Sequence, residues 1–492
     1  MKIINFKQII LLFATGLVLS SCEGDLEPKI YDRVAPSNFY KTTNDLNAAT
    51  SSIYWELKQT GWGPYMVSDG SRFIMNEVAT EEWTCKWSWD AFLNLNWIVG
   101  ENMAYQFYGT IMSATTKATY VIEKIKESSV DQSIKDKYIA EMRCLRGFFA
   151  ADLYMLYGPL PIVVTKDVAF YPTSTYKPSR PTEEWMTTFA ENELIECSKI
   201  LPVTQTEYGR CTKGAALAKL LKLYLYQKKW QQADAVASEI MTLGYQLQTN
   251  YADIFSESNE QNSEIIFAVT CEPRDQFGLL WFCNALTPDF KSSVGVNYTA
   301  WNGWRVPWAF YDSFESGDKR KNLIFQTYPS KNGKNVNLRT EGDIGGLAMK
   351  YGEDSKNPGQ WAGNDYIQFR YADILLCKAE TLNELSAAPT QEIIDLLNQV
   401  RKRAFDNFDT STHKLKLAEF PTKAAMRDQI LKDRGAELWC EGVRREDLIR
   451  HGKYLDVATS VGASFVGAKN LLYPIPLYAL NENPNLKQNP GY

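Results

Sequence analysis

The spacing of apolar positions along the chain predicts mostly helix. Leu46, Ala49, Ile53 and Leu57 recur at intervals of three and four after Pro36-Ser37-Asn38, which predicts an amphipathic helix within 36–60. Residues 101–127 and 134–157 predict a long antiparallel pair. The second member carries Tyr138, Met142, Leu145, Phe149, Leu153 and Leu156 at helical spacing until Gly158-Pro159 stops it. A proline-rich connection at 172–181 leads into a helix over Thr182–Leu201. Lys213–Lys229 and Gln231–Leu243 then read as two helices joined by a tight turn near Trp230, with Ala233 and Ala237 small enough for close helix contact. Tyr371–Leu385 and Thr390–Phe405 form a similar pair, although the period is too irregular to count repeats.

Two stretches depart from this rhythm. Residues 253–365 are rich in Gly, Asn, Pro and Ser, hold short apolar runs such as Ile265–Val269, and contain the aromatic group Tyr298, Trp301, Trp304, Trp308, Phe310 and Tyr311. The tryptophan spacing there fits a helix face, but Gly303 and Pro307 argue against an unbroken helix. Earlier, Trp83–Trp97 (WTCKWSWDAFLNLNW) places four tryptophans within fifteen residues, beside Asn and Asp. An indole face can lie against the C–H face of a pyranose ring, with neighbouring amides and carboxylates taking its hydroxyls. Core packing is the competing use for any one of these rings. If the stretch is extended, Trp87 and Trp89 share a side; if it is helical, Trp83 and Trp87 share one.

Composition narrows the function. The 492 residues are 45% hydrophobic and 23% charged, with 13% aromatic residues including 14 Trp and 27 Tyr, a surplus that suits an aromatic binding surface. A net charge of −5 gives no footprint for nucleic acid. Nine cysteines without a CxxC pair, and only His413 and His451, argue against zinc sites and histidine-based nucleophile pairs; most thiols are expected to be free and buried. No D-x-[DN]-x-[DN]-G loop is present, so no cofactor is expected, with a structural calcium left open.

Lys2 and Lys7 precede the eleven-residue apolar run Ile9–Leu19, which is too short to span a membrane and reads as an export signal over 1–21. Leu19-Ser20-Ser21-Cys22 resembles a bacterial lipobox, making Cys22 the expected lipid anchor. Glu23, Gly24, Asp25 and Glu27 resemble the surface-export tags of Bacteroidota lipoproteins, which favours the outer face of the outer membrane.

Four ordered segments carry a wider resemblance: RGFFAADLYMLYGPLPIV at 146–163, RYADILLCKAETLNE at 370–384, ELWCEGVRREDLIRHGKY at 437–454 and LYPIPLYALNENPNLKQNPGY at 472–492. With the lipobox they resemble the SusD/RagB family of outer-membrane nutrient-binding lipoproteins. The resemblance implies one mainly α body over 22–492, built on tetratricopeptide-like helix pairs at about 36–250 and 366–492, with a few short strands and a loop-rich ligand-face insertion at about 253–365. It also implies a non-enzymatic capture protein seated on a SusC-like TonB-dependent outer-membrane transporter, taking glycans or, in some relatives, peptides. Cys440 and His451 depart from the family pattern.

The family's sugar-binding residues follow no fixed motif, so the candidates rest on chemistry: Trp83, Trp87 and Trp89 with Asn94 and Asn96, and Tyr298, Trp301 and Trp304 with Asn297 and Asn302. A glycoside hydrolase is the enzyme alternative, since paired carboxylates flanking a sugar cleft are its requirement. Glu77, Glu81 and Glu82 stand nearest the tryptophans; Glu437, Glu441, Arg444, Arg445 and Asp447 read better as ion pairs that fix a helix.

Overall fold

In the computed structural model, residues 39–59, 62–98, 104–173 and 175–492 are described. The export signal and Cys22 lie outside them. Helix α1 (Thr43–Lys58) starts at a capping box: Thr42 accepts from the Asp45 amide, and Asp45 accepts from the Thr42 amide at 2.8 Å. Its buried positions Leu46, Ala49, Ile53 and Leu57 are the predicted stripe.

The scaffold is a run of neighbouring helices. α2 (Ala104–Glu127) packs on α3 (Gln132–Tyr157), α3 on α4 (Glu183–Ser198), and α4 on α5 (Lys213–Tyr226). α6 (Trp230–Met241) packs on α5 and on α7 (Tyr371–Leu385), which also holds α8 (Gln391–Arg401) and α9 (Lys423–Leu438). Gly158 stops α3 at a positive φ of 76°, ahead of Pro159. Ala233 and Ala237 are fully buried where α6 meets its partners.

The loop-rich stretch carries most of the strands. β1 (Thr84–Cys85), β3 (Trp304–Pro307), β7 (Gly345–Ala348) and β4 (Ile324–Phe325) form one antiparallel sheet in the order β1-β3-β7-β4. β2 (Ile265–Val269) pairs with β8 (Tyr366–Arg370), both buried throughout, and β5 (Thr327–Pro329) pairs with β6 (Asn335–Asn337). Trp304 therefore lies on a strand and Trp308 opens a short helix, Trp308–Ser313, with Pro307 at the boundary.

Buried ion pairs tie the helices to this region. Arg370, 1% exposed at its side chain, reaches Glu264 at 2.9 Å and Glu437 and Glu441 at 2.7 Å each. Arg72 bridges Asp152 at 2.9 Å and Glu446 at 2.6 Å, and Arg434 holds Asp447 at 2.7 Å and Asp373 at 2.8 Å. Against a strong opposing desolvation, Arg403, Arg370 and Arg320 draw the Glu437 carboxyl below the usual range, and Arg434 and Arg450 do the same for Asp447. Glu437, Glu441, Arg444 and Asp447 thus form interior pairs that fasten α9 and the helix Arg444–Arg450 to the body. Arg445, expected to pair as well, instead donates to the Asn470 and Leu471 carbonyls and lies over Tyr454 and Tyr473.

The nine-cysteine expectation holds among the described residues: seven of the eight thiols are buried and all are free. Cys440 is buried at a left-handed turn, φ 54°, and the imidazole of His451 packs 3.3 Å from Glu380.

Candidate functional site

The two aromatic stretches meet. β1 pairs Thr84 with Arg305 and Cys85 with Trp304, and the Lys86 amide donates to the Gly303 carbonyl at 2.8 Å. This register brings Trp87 against the second stretch. Its indole Nε1 donates to the Trp301 carbonyl at 3.1 Å, and its ring lies 6.3 Å from that of Trp301. Gly303 makes the approach feasible, because a Cβ there would stand 2.3 Å from the Trp87 ring.

Four half-buried indoles form a connected arc. Trp89 meets Trp87 edge to face at 5.1 Å, Trp87 meets Trp301, and Trp301 stacks on Trp62 at 5.7 Å with 19° between planes. The buried Trp361 backs Trp62 at 6.4 Å. Half-buried Asp69 lies close enough to Cys85 to help push that thiol up to about 12, after burial itself, and burial also raises the Asp69 carboxyl. Apolar faces with a carboxylate nearby can stack a sugar ring and accept from its hydroxyls.

Several predicted residues serve other ends. Trp83 (2% exposed) and Trp304 (0%) are core, packed against one another at 5.9 Å and against Phe73. Tyr298 is likewise buried, its ring on Phe282 at 5.3 Å and its hydroxyl donating to Glu353 at 3.1 Å. Asn302 accepts from Arg305, and Asn297 accepts from Lys331 at 3.0 Å. Asn94 and Asn96 flank a turn whose neighbours are at 464–473: Ser464 donates to Asn94 at 3.2 Å, and Trp97 stacks on Tyr473 at 4.1 Å. The rings of Trp83, Trp304 and Tyr298 are enclosed, which corrects their reading as stacking faces; Asn94, Asn297 and Asn302 each commit the side-chain oxygen to a protein donor, and Asn96 is half-buried on the turn. Trp87, Trp89 and Trp301 retain accessible surface, and Trp62 joins them unforeseen. Its neighbours Gly63 and Pro64 mark a loop, the one clue available.

Two of the three carboxylates nearest Trp83 face inward. Glu77 is fully buried, accepts from the Gly442 amide at 2.7 Å and is pushed up to about 8 by burial. Glu82, 1% exposed, is also raised by burial and sits 3.4 Å from Arg444, which pairs with Glu81 too. Glu77 and Glu82 brace the turn at 440–444 and flank no cleft, while Glu81, which lines a cleft of about 360 Å³ with Phe310 and Glu315, is held there by Arg444.

Comparison with known proteins agrees with this architecture. Residues 290–492 match the model of the SusD family. The chain is 24% identical to SusD-like protein P38 of Formosa agariphila over 99% of this chain and 100% of that one. It is 22% identical to the starch-binding protein SusD of Bacteroides thetaiotaomicron over 85% of each. Among solved structures, a SusD homologue from Bacteroides thetaiotaomicron superposes with a TM-score of 0.79 at 20% identity, covering 94% of this chain and 99% of that one. Surface glycan-binding protein A from the same organism, in complex with laminarihexaose, gives 0.75 at 19% identity over 91% and 99%. Residues 290–492 thus match the SusD family, and over nearly its whole length the chain is similar to SusD-like proteins and shares their fold.

Proposed function

We propose that the chain is a surface lipoprotein that captures glycans on the arc Trp62, Trp87, Trp89 and Trp301 and delivers them to a TonB-dependent outer-membrane transporter. The observation that carries this reading is the connected set of half-exposed indoles. One relative described as starch-binding, and a structural neighbour bound to laminarihexaose, support a glycan over a peptide. Binding proceeds by stacking and hydrogen bonding, with exposed Asp90, the chain neighbour of Trp89, as a carboxylate acceptor and no bond chemistry.

Lipid attachment at Cys22 would hold the body at the outer face of the outer membrane, with residues 1–21 removed and 22–492 acting as one unit. No described helix is long and apolar enough to cross a membrane. The helix pairs are read as tetratricopeptide-like, and 253–365 as the insertion that supplies half of the ligand face.

The test is affinity electrophoresis of the purified protein through gels holding laminarin, starch, xylan or glucomannan, with a reducing-end assay alongside. The expected result is retardation by at least one polymer, lost in Trp301→Ala, with no new reducing ends. Fragment release by wild type but not by Glu82→Gln overturns the reading in favour of hydrolysis. For the partner, Cys22→Ala should leave the protein in the soluble fraction, and detergent extraction of the wild type should co-purify a large outer-membrane barrel; recovery of the lipoprotein alone rejects the transporter.

A further inference from the structure

A second surface feature has sugar-binding chemistry. α1 presents Thr43, Asn47, Ser51 and Trp55 at four-residue steps on one helix face; Asn47 and Ser51 are taken by Arg210, which leaves Thr43 and the Trp55 indole as the groups open to a ligand. Two clefts lie along this face. One of about 280 Å³ is lined by Ser51, Trp55, Lys58, Thr270 and Phe277 among others; the second, of about 490 Å³, is lined by Thr43, Asn47, Tyr138 and Gln205 among others. Glu207 and Arg210 line both, so the clefts adjoin along α1 with Arg210 at their junction, and together they are termed the groove. At 1.5 Å per residue, the sixteen residues of α1 give it a length of about 24 Å.

The groove is firm and its aromatic end is open. Arg210 pairs with Glu141 at 3.0 Å and with Glu207 at 2.6 Å, and it donates to Asn47 and Ser51, so the shared wall is pinned. Trp55 is 39% exposed and leans on Phe277 at 5.5 Å. Arg274 covers the Phe277 ring at 3.5 Å, while Lys58 donates to the Thr270 carbonyl at 2.7 Å. Lys58, Lys137 and Arg210 face Glu141, Glu207 and Glu272 in the lining, a balance that gives no field to select a charged polymer.

The open end adjoins the tryptophan arc. The Tyr65 amide donates to the Leu57 carbonyl at 3.0 Å, and Gly63 presses on the Lys58 carbonyl, setting Trp62 beside the last turn of α1. The Leu279–Ala362 bridge joins the segment after Phe277 to Trp361, whose ring backs Trp62.

We propose that the α1 groove is a second carbohydrate subsite, continuous with the arc, that takes further units of a neutral oligosaccharide chain with Trp55 as its stacking residue. The proposal deepens the glycan reading of the arc and is tested separately from it. Titration calorimetry would use gluco- and xylo-oligosaccharides of two and of eight units on wild type, Trp55→Ala, Trp55→Phe, Ser51→Trp and Trp301→Ala. Trp55 is exposed and alanine is the best helix former, so α1 should persist, as melting curves would check.

The expected result is that Trp55→Ala weakens the eight-unit chain about five- to tenfold, as losing one stacked ring implies, and leaves the two-unit ligand unchanged. Trp55→Phe should recover part of the loss, Ser51→Trp should block the long chain, and Trp301→Ala should weaken both lengths. Wild-type binding of the long chain by both Trp55→Ala and Ser51→Trp overturns the groove and leaves the arc standing. Loss only in the α1 variants upholds the groove and rejects the arc. No binding of any chain by wild type, or a Trp55-dependent preference for extended peptides, overturns the proposal.

Discussion

Gly303→Ala probes the arc without removing an aromatic ring. The new Cβ would sit 2.3 Å from Cε2 and Cζ2 of Trp87, against an ordinary carbon contact of about 3.5 Å or more. The indole must therefore retreat by roughly 1.2 Å. Its hydrogen bond to the Trp301 carbonyl, now 3.1 Å, then leaves bonding range at a cost of about 1 kcal/mol to the fold. Gly303 is not in the left-handed region, so the substitution adds no backbone strain. A pyranose laid on Trp87 covers two or three C–H groups, worth about 2 kcal/mol at roughly 0.8 per buried methylene. A gap of about 1 Å forfeits up to half of such contacts, about 1 kcal/mol or fivefold in Kd, whereas Trp87→Ala removes all of it, about thirtyfold. Calorimetry with the retained glycan measures both, and tryptophan fluorescence reports the displaced ring. If Gly303→Ala binds within twofold of wild type while Trp87→Ala does not bind, the packing argument is wrong.

Trp83→Ala and Trp301→Ala should separate core from site: the first costs about 3–5 kcal/mol in denaturant unfolding, while the second loses ligand with a much smaller change in stability. Equal effects on both measurements would contradict the division. Arg370→Met leaves Glu264, Glu437 and Glu441 under-compensated in the interior, and a loss of about 3–5 kcal/mol is expected by urea unfolding; an unchanged midpoint refutes it. Burial raises the folded-state pKa of Glu77 from 4.5 to about 8, so the native chain keeps a proton that the unfolded chain has released. Its effect on stability therefore declines as pH rises from about 4.5 to about 8 and levels off above, and Glu77→Gln should flatten that slope in melts across the window. The pKa of Asp447 is lowered against desolvation by Arg434 and Arg450. Its stabilisation is fully present above the ordinary aspartate range and is lost progressively as pH falls below that range towards the lowered folded value, a loss that Asp447→Asn should abolish in acid unfolding curves.

Helices were legible because the apolar residues of α1 recur at intervals of three and four over one buried face; α3 showed the same apolar spacing, although from Ala140 to Tyr157 it is buried on nearly every side. The arc was half legible. Trp87, Trp89 and Trp301 carry the composition of a sugar surface, but nothing local separates them from Trp83, Trp97 and Trp304, which share that composition and fill the core. The division is made by β1–β3 pairing, a tertiary event that seals the strand residues Cys85 and Trp304 and leaves Trp87 at the margin. The opposite charges at 437–447 announced ion pairs, while their depth depended on arginines such as Arg72 and Arg370, supplied from remote segments.

The pairing of Thr84 with Arg305 also has a kinetic meaning. Closing so long a stretch of chain carries an entropy cost that local helix contacts avoid, so helix pairs such as α2 with α3 can assemble before this strand pair does. Trp87 and Trp301 remain apart until that late step. Recovery of glycan binding in a refolding reaction should accordingly lag the return of helical signal, and a chain stalled during export would hold much of its helix while offering no sugar a place to land.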